Sequence, residues 1–211
     1  MSGPLLGVIV ADLTQNVAGP FCTQILGDMG ADVFKVERPG PGDDARAWAP
    51  PFWGTESAAF MALNRNKRSL AMDMKSPAGL EILGRLVTRV DVLVQSLRAG
   101  VVEGMGFGCA RVQAMNPRLV YCSVTAYGPK GPLKDLPGYD PLMQAYAGIM
   151  SVNGHPGQPP ARVGTSIVDM GTGMWAASAS WGRSANASGR GAAPWSPLPS
   201  STPRWCGSAI T

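Results

Sequence analysis

The chain has 211 residues, enough for one large domain or two small ones with an ample core, and its 45% apolar and 15% charged composition suits a soluble α/β protein. No apolar run approaches the ~18 residues a membrane-spanning helix needs, so no such span is expected. The net charge of +4 suggests nucleic acid until it is located: Arg183, Arg190 and Arg204 lie in an acid-free C-terminal segment, and removing those three charges leaves +1, with no basic stripe for tracking phosphates.

The N-terminus, M-S-G-P-L-L-G-V-I-V, has no basic stretch or cleavage signal, so no secretory leader is expected. Residues 7–13 (G-V-I-V-A-D-L) form a short apolar run closed by an acid, as in a buried parallel strand. A turn is expected at Ala18-Gly19-Pro20, then a helix over Phe21–Met29 with Gly30 at its C-terminal cap. Asp32–Glu37 and Ser69–Asp73 read as the second and third strands. Ser76-Pro77 then opens a helix in the preferred order, N-cap serine before first-turn proline, running to about Arg89. Val92–Gln95 and Leu119–Val124 are the fourth and fifth strands.

This alternation predicts an open, mostly parallel, Rossmann-like α/β sheet with helices on both faces. Ligands of such sheets sit beyond the carboxyl ends of the strands. The loops to watch are therefore 14–19, 38–43, 74–75, 96–100 and 126–140. No G-x-G-x-x-G follows the first strand and no Walker-type loop occurs, which disfavours a dinucleotide or P-loop site. Cys22, Cys109, Cys122 and Cys206 are scattered, without C-x-x-C or a nearby histidine; unpaired thiols in a reduced cytoplasm are expected, and no metal site.

The single histidine, His155, sits in a turn-like N-G-H-P-G and leaves most acid–base chemistries little to work with. A carboxylate nucleophile needs no histidine partner. Asp169 fits that description, set between the apolar S-I-V run and the glycine-spaced G-T-G that leads into a helix-like segment. Gly171 and Gly173 remove bulk beside it, and backbone N–H groups around them are candidate oxyanion donors. An aspartate in this place can equally N-cap the following helix, and the residues alone leave both roles open.

Several long motifs, in order, resemble the family III CoA-transferases (CaiB/BaiF type; the formyl-CoA transferase and carnitine CoA-transferase group). They are D-L-T-Q-N-V-A-G-P (12–20), G-A-D-V-F-K-V-E-R-P (30–39), G-D-D-A-R-A-W (42–48), N-R-N-K-R-S-L-A-M-D-M-K (64–75), P-G-Y-D-P-L-M-Q-A (137–145) and S-I-V-D-M-G-T-G (166–173). The resemblance implies the N-terminal half of that fold, a homodimer, and transfer of coenzyme A from an acyl-CoA to a carboxylic acid. It places Asp169 on the family's nucleophile, which forms a mixed anhydride and then an aspartyl-CoA thioester.

For CoA the matching positions are Val17, Ala18, Arg38, Met72, Asp73, Met74, Lys75, Ser96, Leu97, Arg98, Pro137, Gly138, Tyr139 and Asp140. Arg38 can stack on adenine or pair with phosphate, Lys75 can contact phosphate, and Met74 offers a soft apolar surface. Tyr139 either seals the pocket or fills core. Val17 and Gly104 stand where formyl-CoA transferase has glutamine and arginine, and Ser96-Leu97 replaces Asn-Phe, so formate and oxalate are not the expected acyl groups. Related acyl-CoA racemases carry G-H-D where this chain has Gly138-Tyr139-Asp140. Racemisation therefore stands as an alternative without its proton shuttle, and a non-catalytic CoA-binding fragment is the other.

The resemblance stops after Trp181, which predicts a CoA-transferase region over 1–181 and an unrelated tail over 182–211. The tail has no acid, no lysine and four prolines, and is expected to be disordered or loosely attached. If GC-rich codons are assumed, a shifted frame of it can give a segment that resembles the family's G-R-G-x-x-V-x-x-S-L-F-D-x-A continuation. A frameshifted, truncated enzyme, weakly active and prone to aggregate, is the expectation.

Overall fold

The computed structural model describes residues 3–187 and 206–210, with side chains through Gly182. Five short apolar segments form parallel strands: β1 (Ile9–Leu13), β2 (Asp32–Glu37), β5 (Lys67–Ala71), β6 (Val92–Gln95) and β7 (Val120–Thr125). A sixth, β8 (Cys206–Ile210), pairs in parallel with β7, Tyr121 opposite Cys206 and Thr125 opposite Ile210. A small antiparallel pair, β3 (Phe52–Trp53) and β4 (Glu56–Ser57), stands apart from the sheet.

The sheet order is β5-β2-β1-β6-β7-β8. Successive strands run outward from β1 to one edge, and the chain then returns to the other side of β1 at β6. This is the doubly wound order, with its topological switch point between β1 and β6.

Both sheet faces are apolar because alternate strand residues point to opposite sides. Val10, Val33, Val92, Val94, Val120, Cys122 and Val124 pack under α1 (Ala18–Asp28) and α7 (Ile167–Ala187). Ala11, Leu13, Val36, Leu93 and Tyr121 face α3 (Pro77–Val87) and α5 (Cys109–Met115), through Leu83, Val87 and Val112. The remaining helices are α2 (Ala58–Asn64), α4 (Val101–Gly104) and α6 (Asp140–Tyr146).

The caps behave as the residues dictate. Ser76 Oγ accepts from Gly79 N at 3.0 Å with Pro77 in the first turn of α3. Gly30, at φ +100°, carries the chain out of α1 in a conformation that side chains disfavour.

Four expectations need correction. The turn predicted at Ala18-Gly19-Pro20 is the first turn of α1, where the missing N–H of Pro20 costs nothing. Helix α7 starts at Ile167, two residues before Asp169, so Gly171 and Gly173 lie inside it. The predicted boundary at residue 181 also falls within α7, and the described residues of 182–211 are helix to Ala187 and an edge strand at Cys206–Ile210. The exposed edge of β7 offers unpaired backbone groups that any extended segment can satisfy, which is why composition misjudged that stretch. Finally, Cys22 and Cys122 are free and buried, but Cys109 is disulfide-bonded. Spacing along the chain says little about which cysteines a fold brings together.

Candidate active site

Because all six strands are parallel, the loops after β1, β2, β5, β6 and β7 share one edge of the sheet. A cavity of about 330 Å3 opens there, lined by residues 15–19 after β1, 96–99 after β6, 124–126 at the end of β7, the 134–139 loop, Asp44 and Asp169. It lies over the β1/β6 switch point, where the two loops diverge and leave a crevice.

Asp169 reaches this cavity from the first turn of α7. It does not cap that helix. The cap comes from Asp140 on α6, whose Oδ1 accepts from Val168 N at 2.8 Å and from Asp169 N at 3.2 Å. The Asp169 carboxylate accepts no hydrogen bond among the described residues. Burial, and then the nearby Asp140 charge, push its carboxyl up from 3.8 to about 6. It is thus a half-buried, unpartnered carboxylate that is still mostly ionised at neutral pH.

The loop after β1 is anchored from below by buried charges. Lys35 and Lys67, both on strands, point into the β1/α1 layer. Lys67 Nζ lies 3.1 Å from Asp12 Oδ2, and Lys35 Nζ lies 2.8 Å from Asp43 Oδ2 while donating to Thr14 O at 2.9 Å. Burial would raise the Asp12 carboxyl, but Lys67, Lys35 and the hydroxyls of Thr14 and Thr23 hold it below its ordinary value. Asp43 Oδ1 accepts from Asn16 N at 3.1 Å, which fixes Asn16 at φ 68°. Gln15 N donates to Ser96 Oγ at 3.1 Å and ties the β1 loop to the β6 loop across the crevice.

A second hollow of about 370 Å3 adjoins, lined by Arg38, residues 40–42, Arg46, Thr55 and Ser69 near the ends of β2 and β5. Arg38 donates to Gly42 O at 3.2 Å and to Asp44 Oδ1 at 2.5 Å. Since Asp44 lines the first cavity and Arg38 the second, this exposed ion pair stands between them.

The model of "CoA-transferase family III" matches residues 5–192. The chain belongs to CoA-transferase family III. It is 44% identical over 173 residues to the human succinyl-CoA:glutarate CoA-transferase, an alignment covering 82% of this chain and 40% of that protein. The succinate–glutarate CoA-transferase of Agrobacterium fabrum is 40% identical, with 83% and 46% covered. Among solved structures, a CAIB/BAIF family protein from Brucella suis superposes with a TM-score of 0.83 at 38% identity, covering 87% of this chain and 49% of that one. The chain spans less than half the length of these relatives.

In this family III chain the structure brings Val17, Ala18, Ser96, Leu97, Arg98, Pro137, Gly138 and Tyr139 around one cavity with Asp169. Tyr139 is 65% exposed and stands at the rim rather than in core. Arg38 belongs to the adjoining hollow. Met72 is buried in the lower core with Met74 packed half-buried against it, so neither lines the cavity. Asp73 is exposed and accepts from Lys75 N at 2.9 Å, which shapes that turn; the Lys75 side chain is in solvent. Asp140 is turned to the backbone of α7 and away from the cavity, because the uncapped helix end demands an acceptor. Gly104 ends α4 in open space.

The glycines behave differently from expectation. N–H groups at 171–173 are spent on the helix ladder and are not free donors. Gly173 serves the crossing of α7 over α1, where a Cβ would lie 2.7 Å from Ala18 O. Sequence reasoning passed over Gln15, Asn16, Asp44, Lys134 and Gln144. The first four lie in or beside the strand-end loops singled out above, a signal that was present; Gln144, one helical turn after Asp140, falls inside the 137–145 motif, but its residue type alone marks no role.

Proposed function

We propose that this chain carries the acyl-transfer centre of a CoA-transferase, with Asp169 as the nucleophile. A carboxylate oxygen of Asp169 attacks the thioester carbonyl, the C–S bond breaks, and CoA leaves as the thiolate with a mixed anhydride behind it. The thiolate then attacks the aspartyl carbonyl, releasing the donor acid and leaving an aspartyl-CoA thioester. An acceptor carboxylate takes the acyl position in the reverse sequence and departs as the new CoA ester.

The supporting observation is the unpartnered, half-buried Asp169 carboxylate in a strand-end cavity at the switch point. Ala18 and Gly19, at the α1 end that has no side-chain cap, line the same cavity, and that uncapped helix end suits the developing oxyanion. Arg98 and Lys134 at the wall and Arg38 in the adjoining hollow suit the phosphates of a CoA tail. The relatives' names favour succinyl-CoA as donor and a dicarboxylic acid such as glutarate as acceptor. A homodimer is the assembly the family resemblance implies, readable by analytical ultracentrifugation.

The test is single-turnover trapping with succinyl-CoA and hydroxylamine, read by peptide mass spectrometry. Hydroxamate on Asp169, lost in Asp169→Ala, is expected. Exchange of the α-proton without an adduct would replace transfer by racemisation, a reading that His155, in an exposed turn, does nothing to favour. CoA binding with neither outcome would leave a binding fragment.

A further inference from the structure

Gln144 lines neither of the two cavities described above, yet it is 0% exposed and all its polar atoms are engaged. Its Nε2 lies 2.5 Å from Asp140 Oδ2, 3.3 Å from Val163 O and 3.3 Å from Thr165 O. Its Oε1 accepts from Val163 N at 2.8 Å. Asp140, one turn earlier on α6, holds Val168 N and Asp169 N. Two neighbouring side chains of one short helix therefore grip four of the seven residues from 163 to 169.

The gripped segment has little else to fix it. Residues 152–166 form no helix or strand and are largely exposed, so α7 is entered from an extended loop. An amide suits position 144 because the site needs both a donor, for one carboxylate and two carbonyls, and an acceptor, for one N–H. A carboxylate there would face Asp140 as a like charge, and an apolar side chain would leave Val163 N and Asp140 Oδ2 without their partner.

We propose that Gln144 is a positioning residue for Asp169: by bracing Asp140 and tying down Val163 and Thr165, it holds the first turn of α7 so that the Asp169 carboxylate stays in the cavity. The role rests on the transfer reading above. Displacement of a reacting group by about 1 Å costs up to roughly 100-fold in rate, so the clamp is felt in chemistry before it is felt in binding.

The experiment compares Gln144→Met and Gln144→Glu with wild type in the 211-residue chain. Both keep the length of the side chain and hence the packing of α6. Circular dichroism, cooperative unfolding and succinyl-CoA affinity are followed beside the initial rate of hydroxylamine trapping on Asp169 and the hydrogen exchange of the Val168 and Asp169 amides.

The expected result is a folded protein with affinity within about twofold of wild type, trapping slowed roughly tenfold or more, and those two amides exchanging roughly tenfold faster. Wild-type trapping and exchange in either folded variant overturn the proposal. So does a parallel collapse of fold, affinity and trapping in both variants, which assigns Gln144 to general packing. A wild-type chain that forms no adduct sinks the transfer reading instead, and the amide exchange still judges the clamp.

Discussion

Asp169 is the proposed nucleophile, and its surroundings set the price of that role in stability. Its folded pKa, about 6, is raised above the ordinary 3.8, so the folded state holds its proton to higher pH than the unfolded chain. This group's contribution to stability therefore declines as pH rises from about 4 to about 6 and stays low above that window. Two outcomes follow. The single-turnover trapping rate rises with pH to a plateau, with a midpoint near 6. Asp169→Asn, inactive in trapping, unfolds at higher temperature than wild type at pH 8, by an amount on the order of 1–2 kcal/mol after solvent screening. Equal melting temperatures at pH 8 would mean that the carboxylate is better solvated than its site suggests.

The buried lysines make the opposite case. Lys35 is 1% exposed and serves Asp43 and the Thr14 carbonyl together. Lys35→Met strands the buried Asp43 carboxylate, and urea denaturation should report a loss of about 3–5 kcal/mol. Since Asp43 also holds Asn16 N, acyl-CoA affinity falls with it.

At the level of elements, the crossing of α1 and α7 decides where Asp169 stands. A β-carbon at Gly173 meets backbone, Ala18 O at 2.7 Å and Cys22 N at 3.1 Å, and backbone cannot swing aside as a side-chain tip can. Gly173→Ala gains helix propensity but forces the helices apart, and a net loss of about 1–3 kcal/mol is expected from thermal unfolding. The same substitution at Gly171, which has no neighbour within 4 Å, should be neutral or stabilising by up to about 1 kcal/mol. Equal effects at the two sites would remove the crossing from the account. The pair also shows what a motif hides: two glycines two residues apart looked like one device, but one packs a helix and the other faces open space.

At the level of the molecule, α7 presents an apolar outer face. Ile167, Met174, Trp175 and Trp181 recur at helical spacing and are 44%, 56%, 77% and 41% exposed. Such a stripe favours association in water. Trp175→Lys combined with Met174→Lys should lower the concentration-dependent sedimentation of the chain without changing its circular dichroism, whereas unchanged sedimentation would show that this face is not what associates. Among the described residues, no helix is long and apolar enough to cross a membrane, so the stripe is not a span.

Local chemistry decided a good deal of this protein in advance. The strands at 32–37 and 92–95 fall on the predicted residues, and the Ser76-Pro77 helix start is realised atom for atom, because apolar runs, caps and first-turn prolines act over a few residues. Parallel alternation then sent the expected loops to one sheet edge, and eight of the positions named for CoA line one cavity there with Asp169. Tertiary structure alone decided the rest. Whether Asp169 caps a helix or stands free depends on Asp140 arriving from another helix, and whether Met72 meets a ligand or the core depends on what covers it. Such choices turn on contacts between segments far apart in the chain, and no short-range pattern encodes who the distant neighbour will be.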